Sequence, residues 1–208
     1  PLKQKLLNNL DKLDIISHKT GSVNTILKKK NKLYGFNTDY YALHRLLKEK
    51  KLNIKESKIL ILGNGGAAKT SYEVVKDLKF KIVYLSSRNI KKYKDWKLDK
   101  KHKLVKWKNR NSTNANILIN ATPIGMKNAT IEKIPIFVSA LHKFHKIIDF
   151  TVNEGKNALQ KNSQKFKIDY TSGFVLSFYQ GIKQFNLYTN RKIDEKKLMK
   201  ILKFKKFF

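Results

Sequence analysis

Short apolar runs alternate with amphipathic stretches along most of the chain. Runs of the kind that form strands lie at 22–27, 33–36, 58–62, 81–85, 117–120, 146–150 and 166–170. Apolar residues at helical spacing lie at 3–13, 38–50, 70–78, 174–188 and 193–203, with further helical stretches between the later strands. Strands that alternate with helices predict a mostly parallel sheet covered by helices, so the predicted fold class is α/β.

The clearest prediction is a strand, a glycine-rich turn, a helix and a second strand between residues 58 and 85. The continuous apolar run at 58–62 indicates a strand buried on both faces. The next residues have the spacing of a dinucleotide-binding turn, with alanine at the third glycine position: Gly63, Asn64, Gly65, Gly66, Ala67 and Ala68. Gly63 permits the tight turn, Gly65 lets the backbone approach a pyrophosphate, and a helix that begins near Gly66 points free N–H groups at the phosphates. The other interpretation is a glycine turn in an α/β domain that binds nothing.

The end of the second strand predicts which dinucleotide binds. An Asp or Glu at this position usually bonds the ribose 2′-hydroxyl of NAD. This chain instead has Ser87 and Arg88, followed by Lys91 and Lys92, and Arg88 is one of only 4 arginines. A guanidinium there would neutralise the 2′-phosphate of NADP. An ordinary basic loop is the alternative.

Composition adds a strong positive charge. Lys and Arg number 46 and Asp and Glu 15, which gives a net charge of +31 over 208 residues. Such a balance suggests nucleic-acid binding, but only 4 of the 46 are arginine, the side chain that pairs bidentately with phosphate and guanine. The lysines are scattered, and the densest run, at 28–30, predicts a hairpin turn between two apolar segments. We therefore attribute the charge to a compositional bias, and a specific nucleic-acid surface is the least favoured interpretation.

Several classes of protein and site are excluded by what the sequence lacks. There is no cysteine, so disulfides, thiolate zinc sites and a cysteine nucleophile are excluded. No stretch approaches the roughly 20 apolar residues that span a bilayer, and the start of the chain lacks the apolar core of a signal peptide. The 5 histidines have no metal-ligand spacing, so no metal site is predicted. We expect a cytoplasmic protein with no membrane partner.

Seven segments resemble, in the same order, motifs of the shikimate dehydrogenase family. They are GSVNT at 21–25, GFNTD at 35–39, GNGGAA at 63–68, SRN at 87–89, INATPIGM at 119–126, Asp149 with Asn153, and Gly173 with Tyr179 and Gln180. The NTD and NATPxGM motifs are specific, and the segments span nearly the whole chain. The first three residues, Pro-Leu-Lys, fit the end of a further family motif, so we expect an N-terminally shortened member.

The resemblance implies an enzyme that reduces 3-dehydroshikimate to shikimate with NADPH. It implies that Lys3 and Asp39 are the catalytic pair and that Asn24, Asp39 and Gln180 bind the substrate. The implied cofactor-binding residues are Gly63, Asn64, Gly65, Gly66, Ala67, Ser87, Arg88, Lys92, Phe150 and Gly173. The expected partners are therefore NADP and a small-molecule substrate, with the chain a monomer or a homodimer.

The implied chemistry has a simple physical basis. Hydride transfer to a ketone leaves negative charge on oxygen, and a proton must arrive there as well. Lys3 could donate that proton while Asp39 holds the ammonium and accepts a hydrogen bond from a substrate hydroxyl; the reverse assignment, in which Asp39 handles the proton, stays open. The amides of Asn24 and Gln180 can donate and accept hydrogen bonds, which suits a ring with several hydroxyls. Taken alone, Asp39 at the start of a helix would be a capping carboxylate.

We expect two lobes. An incomplete α/β substrate lobe comprises 1–52 and is completed by the C-terminal helices of 174–208, and a Rossmann-like NADP-binding lobe comprises 53–173. The chain departs from the family pattern at Val152, where a substrate-contacting Tyr is usual, and at Val175, where a second Gly is usual. The alternatives within the family are a quinate/shikimate dehydrogenase that tolerates NAD and a degenerate relative without turnover.

Overall fold

The computed structural model describes residues 5–50, 52–126 and 130–202. Within these residues the α-helices are α1 (Ile15–Thr20), α2 (Thr38–Glu49), α3 (Gly66–Asp77), α4 (Ala158–Lys165), α5 (Gly173–Thr189) and α6 (Glu195–Ile201). The strands are β1 (Lys12–Leu13), β2 (Thr25–Lys29), β3 (Lys32–Phe36), β4 (Lys58–Leu62), β5 (Ile82–Ser87), β6 (Lys103–Lys106), β7 (Ile117–Asn120), β8 (Lys146–Asp149) and β9 (Asp169–Thr171). Short 3₁₀ helices lie at Lys5–Asn9, Ile90–Tyr93, Trp107–Ser112 and Val138–Lys143. None of the helices described is both long and apolar enough to cross a membrane.

The larger sheet has six parallel strands in the order β6-β5-β4-β7-β8-β9. The chain enters this sheet in the middle, at β4, adds β5 and β6 on one side and then β7, β8 and β9 on the other. This is the strand order of the doubly wound Rossmann fold, which confirms the predicted fold class. In such sheets, ligands bind outside the carboxyl ends of the strands where the order reverses, which here is between β4 and β7.

Apolar side chains cover both faces of the larger sheet. Ile59 and Ile61 of β4 face a cluster formed with α2, α3 and α5, whereas Leu60 and Leu62 face a second cluster that includes Leu159 of α4. Successive residues of a strand point to opposite faces, so β4 is buried on both, as its apolar run predicts. Full burial of an Ile or Leu side chain contributes about 1.5–3 kcal/mol, and this strand therefore anchors the glycine-rich turn that follows it.

The smaller sheet has the order β1-β3-β2 and precedes α2 in the chain. Strands β2 and β3 form an antiparallel hairpin whose turn residues, Lys30 and Asn31, have positive φ angles of 45° and 60°. Two positive φ angles give the turn geometry that matches the twist of the flanking strands. The predicted hairpin is present, but of the lysine run at 28–30 only Lys30 lies in the turn, because Lys28 and Lys29 pair with β3.

The C-terminal helices pack against α2. Helices α2 and α5 contribute to the same apolar cluster, and the hydroxyl of Tyr179 on α5 donates a hydrogen bond to Glu49 of α2 at 2.6 Å. Helix α6 joins them through an ion pair between Arg45 and Glu195. Elements from the two ends of the described chain thus lie together, while the exact lobe boundaries at 52 and 174 stay a prediction.

The helix predicted at 3–13 is wrong over most of its length. The chain forms a 3₁₀ helix at Lys5–Asn9 and then β1, which pairs in parallel with β3. The leucines that suggested a helix serve a different contact: an added Cβ at Gly35 would lie 2.7 Å from Leu10 and 2.9 Å from Leu13. These side chains pack over the glycine of β3, a tertiary contact that overrides the local spacing.

Other boundaries differ by a few residues, and two elements were not predicted. The strands expected at 22–27 and 166–170 lie at Thr25–Lys29 and Asp169–Thr171. Helix α1 was missed because it has only six residues; it starts where Asp14 accepts a hydrogen bond from the Ser17 N–H and ends at Gly21 in the left-handed conformation. Strand β6 was missed because it is a short edge strand without an apolar run.

Candidate active site

The glycine-rich turn joins β4 to α3. Gly63 has a φ of +114°, and an added Cβ would lie 2.7 Å from the carbonyl oxygen of Ala121 on the neighbouring chain segment. The hydroxyl of Tyr93 donates to the carbonyl oxygen of Gly63 at 2.8 Å and fixes the turn from the other side. Gly65 is the N-cap of α3 and Gly66 its first residue, and the position of a Cβ on Gly65 is open space. The backbone N–H groups at the start of α3 can therefore be approached closely by a phosphate.

A cavity of about 370 Å³ lies at the carboxyl ends of β4, β5 and β7. It is lined by Asn64, Gly65, Ser87, Arg88, Asn89, Lys92, Trp107, Ala121, Thr122, Pro123 and Ile124. The Asn64 amide donates to the hydroxyl of Ser87 at 3.0 Å and to the carbonyl of Asn89 at 2.8 Å. These bonds hold the glycine turn against the loop after β5, and five residues predicted for cofactor binding meet here: Asn64, Gly65, Ser87, Arg88 and Lys92.

Two cationic side chains at this cavity are available to a ligand. Arg88 and Lys92 are exposed, and among the residues described, neither forms an ion pair with a carboxylate. No acidic residue lines the cavity. A phosphate group would meet uncompensated positive charge at this point, with Arg88 able to bind it through two N–H groups.

The loop after β7 forms the opposite wall and is held by Asn120. The oxygen of its side chain accepts from the Thr122 N–H at 3.1 Å and the Thr122 hydroxyl at 2.7 Å. Its amide nitrogen donates to the carbonyl of Ile124 at 3.0 Å and to Asp149 at 2.9 Å. Three of these four bonds fix the loop 121–124, and the fourth ties the buried Asn120 side chain to the end of β8.

Asp149, at the end of β8, is fully buried and accepts five hydrogen bonds. The donors are the amide of Asn120, the N–H and hydroxyl of Thr151, the amide of Asn157 and the hydroxyl of Tyr170, at 2.7–3.0 Å. Burial and the Asp149 carboxylate raise the pKa of Tyr170, so this hydroxyl stays protonated and able to donate well above neutral pH. The sequence marks Asp149 only as part of a motif; the structure shows that it fixes both the loop after β7 and the chain after β8.

The chain after β8 passes directly against the start of α5. An added Cβ at Gly173 would lie 2.3 Å from the carbonyl oxygen of Thr151 and 2.9 Å from that of Phe150. Because these contacts are with backbone atoms, only glycine fits at this position without displacing one of the two segments. Phe150 and Gly173, both predicted to bind the cofactor, are therefore neighbours.

Asn24 precedes β2 and lies against the first residue of α2. Its side-chain oxygen accepts from the N–H of Thr38 at 2.9 Å, from the hydroxyl of Thr38 at 3.0 Å and from the hydroxyl of Thr25 at 3.1 Å. Gln184 of α5 in turn donates to the Thr25 hydroxyl at 3.0 Å. Because its side-chain oxygen already accepts three hydrogen bonds, Asn24 can offer a ligand only N–H donors. The sequence predicts that this amide both donates and accepts, and the structure leaves only the first of these roles for a ligand.

Asp39 follows in the first turn of α2 and is 2 % exposed. The residue before this helix, Asn37, caps it by accepting from the Tyr40 N–H at 3.1 Å. The amide nitrogen of Asn37 donates to Thr20 at 3.0 Å and to Thr70 of α3 at 2.9 Å. Asn37 therefore ties the turn that carries Asp39 to the helix that begins at the glycine-rich turn.

Comparison with known proteins gives the same assignment as the motifs. The chain is 32% identical over 203 residues to shikimate dehydrogenase (NADP(+)) of Clostridium perfringens, covering 94% of this chain and 72% of the relative. It is 32% identical over 203 residues to the protein of that name from Methanococcus maripaludis, covering 93% and 71%. The chain belongs to the shikimate dehydrogenase family. A scan against protein-family models finds no match.

Solved structures of the shikimate dehydrogenase family share this fold. Shikimate dehydrogenase 1 from Peptoclostridium difficile superposes with a TM-score of 0.83 at 29% identity, covering 95% of this chain and 72% of that one. The Thermus thermophilus enzyme, solved in complex with NADP(H) and shikimate, has a TM-score of 0.79 at 23% identity, covering 93% and 72%. At 23% identity, the similarity to the Thermus thermophilus enzyme concerns the fold alone.

The structure does not connect two of the predicted shikimate dehydrogenase residues, Lys3 and Gln180, with the other predicted site residues. Lys3 lies outside the described residues. Gln180 is half-buried on α5, and its side chain forms no hydrogen bond with another described residue. One helical turn later, Gln184 makes the contact with the Asn24 network instead. The spacing of four residues on one helix face was the signal that could have found Gln184.

The two departures from the family pattern lie in different environments. Val152 is 40 % exposed, on the chain that follows β8. Val175 is 1 % exposed and belongs to the apolar cluster of α2, α3 and α5. Its methyl groups therefore pack into the core rather than into the cavity lined by Arg88.

The described residues include no group of three or more His, Asp or Glu that could hold a metal ion.

Proposed function

We propose that this chain is an NADP-dependent shikimate dehydrogenase that interconverts 3-dehydroshikimate and shikimate. The observation that carries the proposal is the link made by Asn37. It joins the first turn of α2, which carries Asp39 and lies against Asn24, to α3, the helix that begins at the glycine-rich turn. A substrate and a dinucleotide bound to these two segments would share one cleft.

The residues present fit NADP rather than NAD. Open space at Gly65 and the first N–H groups of α3 suit a pyrophosphate. Arg88 and Lys92 supply positive charge for a 2′-phosphate, with no carboxylate lining the cavity to repel it. Phe150 and Gly173, which lie against each other, stay the predicted ligands of the nicotinamide end. When bound, NADPH supplies the hydride.

The side chains near α2 perform the remaining chemistry in this proposal. Asn24 donates a hydrogen bond to a substrate hydroxyl, because its oxygen is already saturated. Asp39, buried in the first turn of α2, accepts a hydrogen bond from a second hydroxyl and orients the proton donor. Lys3 stays the predicted donor of the proton to the substrate oxygen, and Gln180 a predicted substrate ligand.

The direct test is oxidation of shikimate with NADP, followed by the absorbance of the reduced nicotinamide. The protein should reduce NADP in the presence of shikimate, and Asp39→Asn should lower turnover by about 10²–10⁴-fold. Glu56→Gln, which removes an exposed carboxylate just before β4 and so at the opposite end of that strand from the cavity, should retain full activity. Cofactor binding without any turnover would identify a degenerate relative, and equal rates with quinate and NAD would identify the broader enzyme.

The cellular setting is also proposed. We propose a cytoplasmic protein that acts as a monomer or homodimer, has no specific nucleic-acid partner, and is divided into lobes at 52 and 174. The absence of cysteine supports a reducing compartment, and the scarcity of arginine among 46 basic residues argues against a nucleic-acid surface. Light scattering and a DNA mobility assay at physiological salt test the assembly and the nucleic-acid statement.

A further inference from the structure

The cavity at the glycine-rich turn has one aromatic wall, Trp107, which the proposed function does not use. Strands β5 and β6 are parallel neighbours, with Ser87 opposite Lys106. The next residues, Arg88 and Trp107, therefore leave the two strands side by side at the carboxyl edge of the sheet. Both line the same cavity.

Trp107 is held in place by Arg110. The guanidinium carbon of Arg110 lies 4.0 Å from the centroid of the indole ring. Arg110 is itself fixed, since it donates to the carbonyl of Pro135 at 2.6 Å and to that of Trp107 at 2.7 Å. One face of the indole is thus covered by a fixed cation, and the ring also packs on the apolar cluster that contains Leu118. A ring held in this way loses little conformational entropy when a ligand contacts it.

The other walls of the cavity define what fits beside the indole. Pro123 and Ile124 add apolar surface opposite, on the loop that Asn120 holds. Arg88 and Lys92 bring positive charge to the same space. A flat aromatic face, apolar walls and adjacent cations together match a purine whose ribose carries a phosphate.

We propose that Trp107 is the stacking platform for the adenine ring of NADP. This inference rests on the proposed function, because it names the residue that holds one end of the proposed cofactor. Arg88 and Lys92 then bind the 2′-phosphate while Trp107 binds the base, and Arg110 is a positioning residue that acts through Trp107. Stacking of a base on an aromatic side chain changes affinity by about 5- to 100-fold.

The first experiment uses tryptophan fluorescence and needs no change at Trp107. The chain has 2 tryptophans, and Trp96 is buried in the core at 8 % exposure, so the variant Trp96→Phe reports on Trp107 alone. Adenosine 2′,5′-bisphosphate, which has the base and the phosphates without nicotinamide, should quench this fluorescence saturably. Nicotinamide mononucleotide, which lacks adenine, should leave it unchanged. Saturable binding of the bisphosphate, seen by calorimetry, without quenching would overturn the proposal.

The second experiment compares three side chains at position 107. Trp107→Phe keeps an aromatic face and should bind the bisphosphate within about threefold of the unaltered protein, whereas Trp107→Leu keeps apolar bulk for folding and should bind it about 5- to 100-fold more weakly. Both variants should melt within a few degrees of the unaltered protein. Equal affinity of the Leu and Phe variants would contradict stacking.

The two proposals fail in different ways. If the unaltered protein binds neither NADPH nor the bisphosphate, the proposed cofactor itself is wrong. If it binds NADPH and turns over shikimate but Trp107→Leu is unaffected, only the role of Trp107 is wrong.

Discussion

Asn24 shows how hydrogen bonds among neighbouring residues set the chemical role of one side chain. The family motif predicts that this residue contacts substrate, but it does not predict which end of the amide faces the ligand. Three donors from Thr25 and Thr38 occupy the oxygen, so the N–H groups remain. Gln184 extends this network from a helix near the other end of the chain. Sequence spacing cannot reveal such a contact, because it depends on how α5 returns to α2.

A first prediction concerns Thr25, which acts through Asn24. Thr25→Val keeps the shape but removes the hydroxyl that donates to Asn24 and accepts from Gln184. Since a hydrogen bond contributes about 1 kcal/mol, we expect the KM for shikimate to rise about 5- to 10-fold, with the Kd for NADPH unchanged. Thr25→Ser restores the hydroxyl and should restore the KM. Equal KM values for the Val and Ser variants would contradict the positioning role.

A second prediction concerns Arg88, whose charge is not compensated by any described carboxylate. Arg88→Ala should weaken NADPH by about 10- to 100-fold, because a hydrogen bond to a charged group contributes about 1.5–3 kcal/mol. Binding of NADH, which lacks the 2′-phosphate, should change little. Arg191→Ala removes the same charge from an exposed position after α5 and serves as the control. Calorimetry with both cofactors measures the difference; equal weakening of NADPH and NADH would show that Arg88 does not read the phosphate.

At the scale of elements, the site depends on where strands end and helices begin. The bounds of β4, α2 and α5 follow closely from apolar periodicity, because each buries a full face. Strand β6 and helix α1 do not, since an edge strand and a six-residue helix are stabilised by their neighbours and caps rather than by their own pattern. The hydrogen bonds that Asp149 accepts could not be predicted from the sequence either. Their donors come from β7, β9 and the N-cap of α4 as well as from the loop that follows Asp149.

A third prediction tests the contact between β8 and α5. Gly173→Ala places a methyl group 2.3 Å from the carbonyl oxygen of Thr151, so one of the two segments must move. We expect a lower melting temperature and weaker NADPH binding. The same substitution on the same helix at Gly181, where nothing lies within 4 Å of an added Cβ, should instead stabilise the protein by about 0.5–1 kcal/mol. Thermal unfolding and NADPH titration are measured for both variants. Equal changes in melting temperature and NADPH affinity in the two variants would contradict the close contact at Gly173.

At the scale of the whole molecule, the hydroxyls of three tyrosines link separate parts of the fold. Tyr40 joins α2 to α3 through Asp77, Tyr93 joins the segment after β5 to the glycine-rich turn, and Tyr179 joins α5 to α2. Burial raises the pKa of each, together with nearby carboxylates for Tyr40 and Tyr179. The sequence predicts the α/β architecture but not these links, since each needs two elements to be placed first.

A fourth prediction follows for alkaline solution. Burial raises the pKa of Tyr93 to about 12, whereas an unfolded tyrosine titrates near 10. The unfolded chain therefore loses protons first, so this stabilisation is complete below about pH 10 and is lost as pH rises toward about 12. From Tyr93 alone we expect about 1–2 kcal/mol less stability at about pH 11 than at about pH 9.

Urea unfolding at the two pH values measures this loss. Tyr93→Phe should reduce the pH dependence, whereas Tyr188→Phe, at an exposed position, should not. An identical pH dependence in both variants would show that Tyr93 does not contribute to it.

The roles assigned to the site residues all depend on hydride transfer from NADPH to 3-dehydroshikimate. The most direct measurement uses NADPH with deuterium at both positions of the reactive nicotinamide carbon and determines the mass of the shikimate formed. We expect a product heavier by a single deuterium, formed far more slowly by Asp39→Asn. Absence of product under conditions where NADPH binding is saturated, or a product without deuterium, would contradict it.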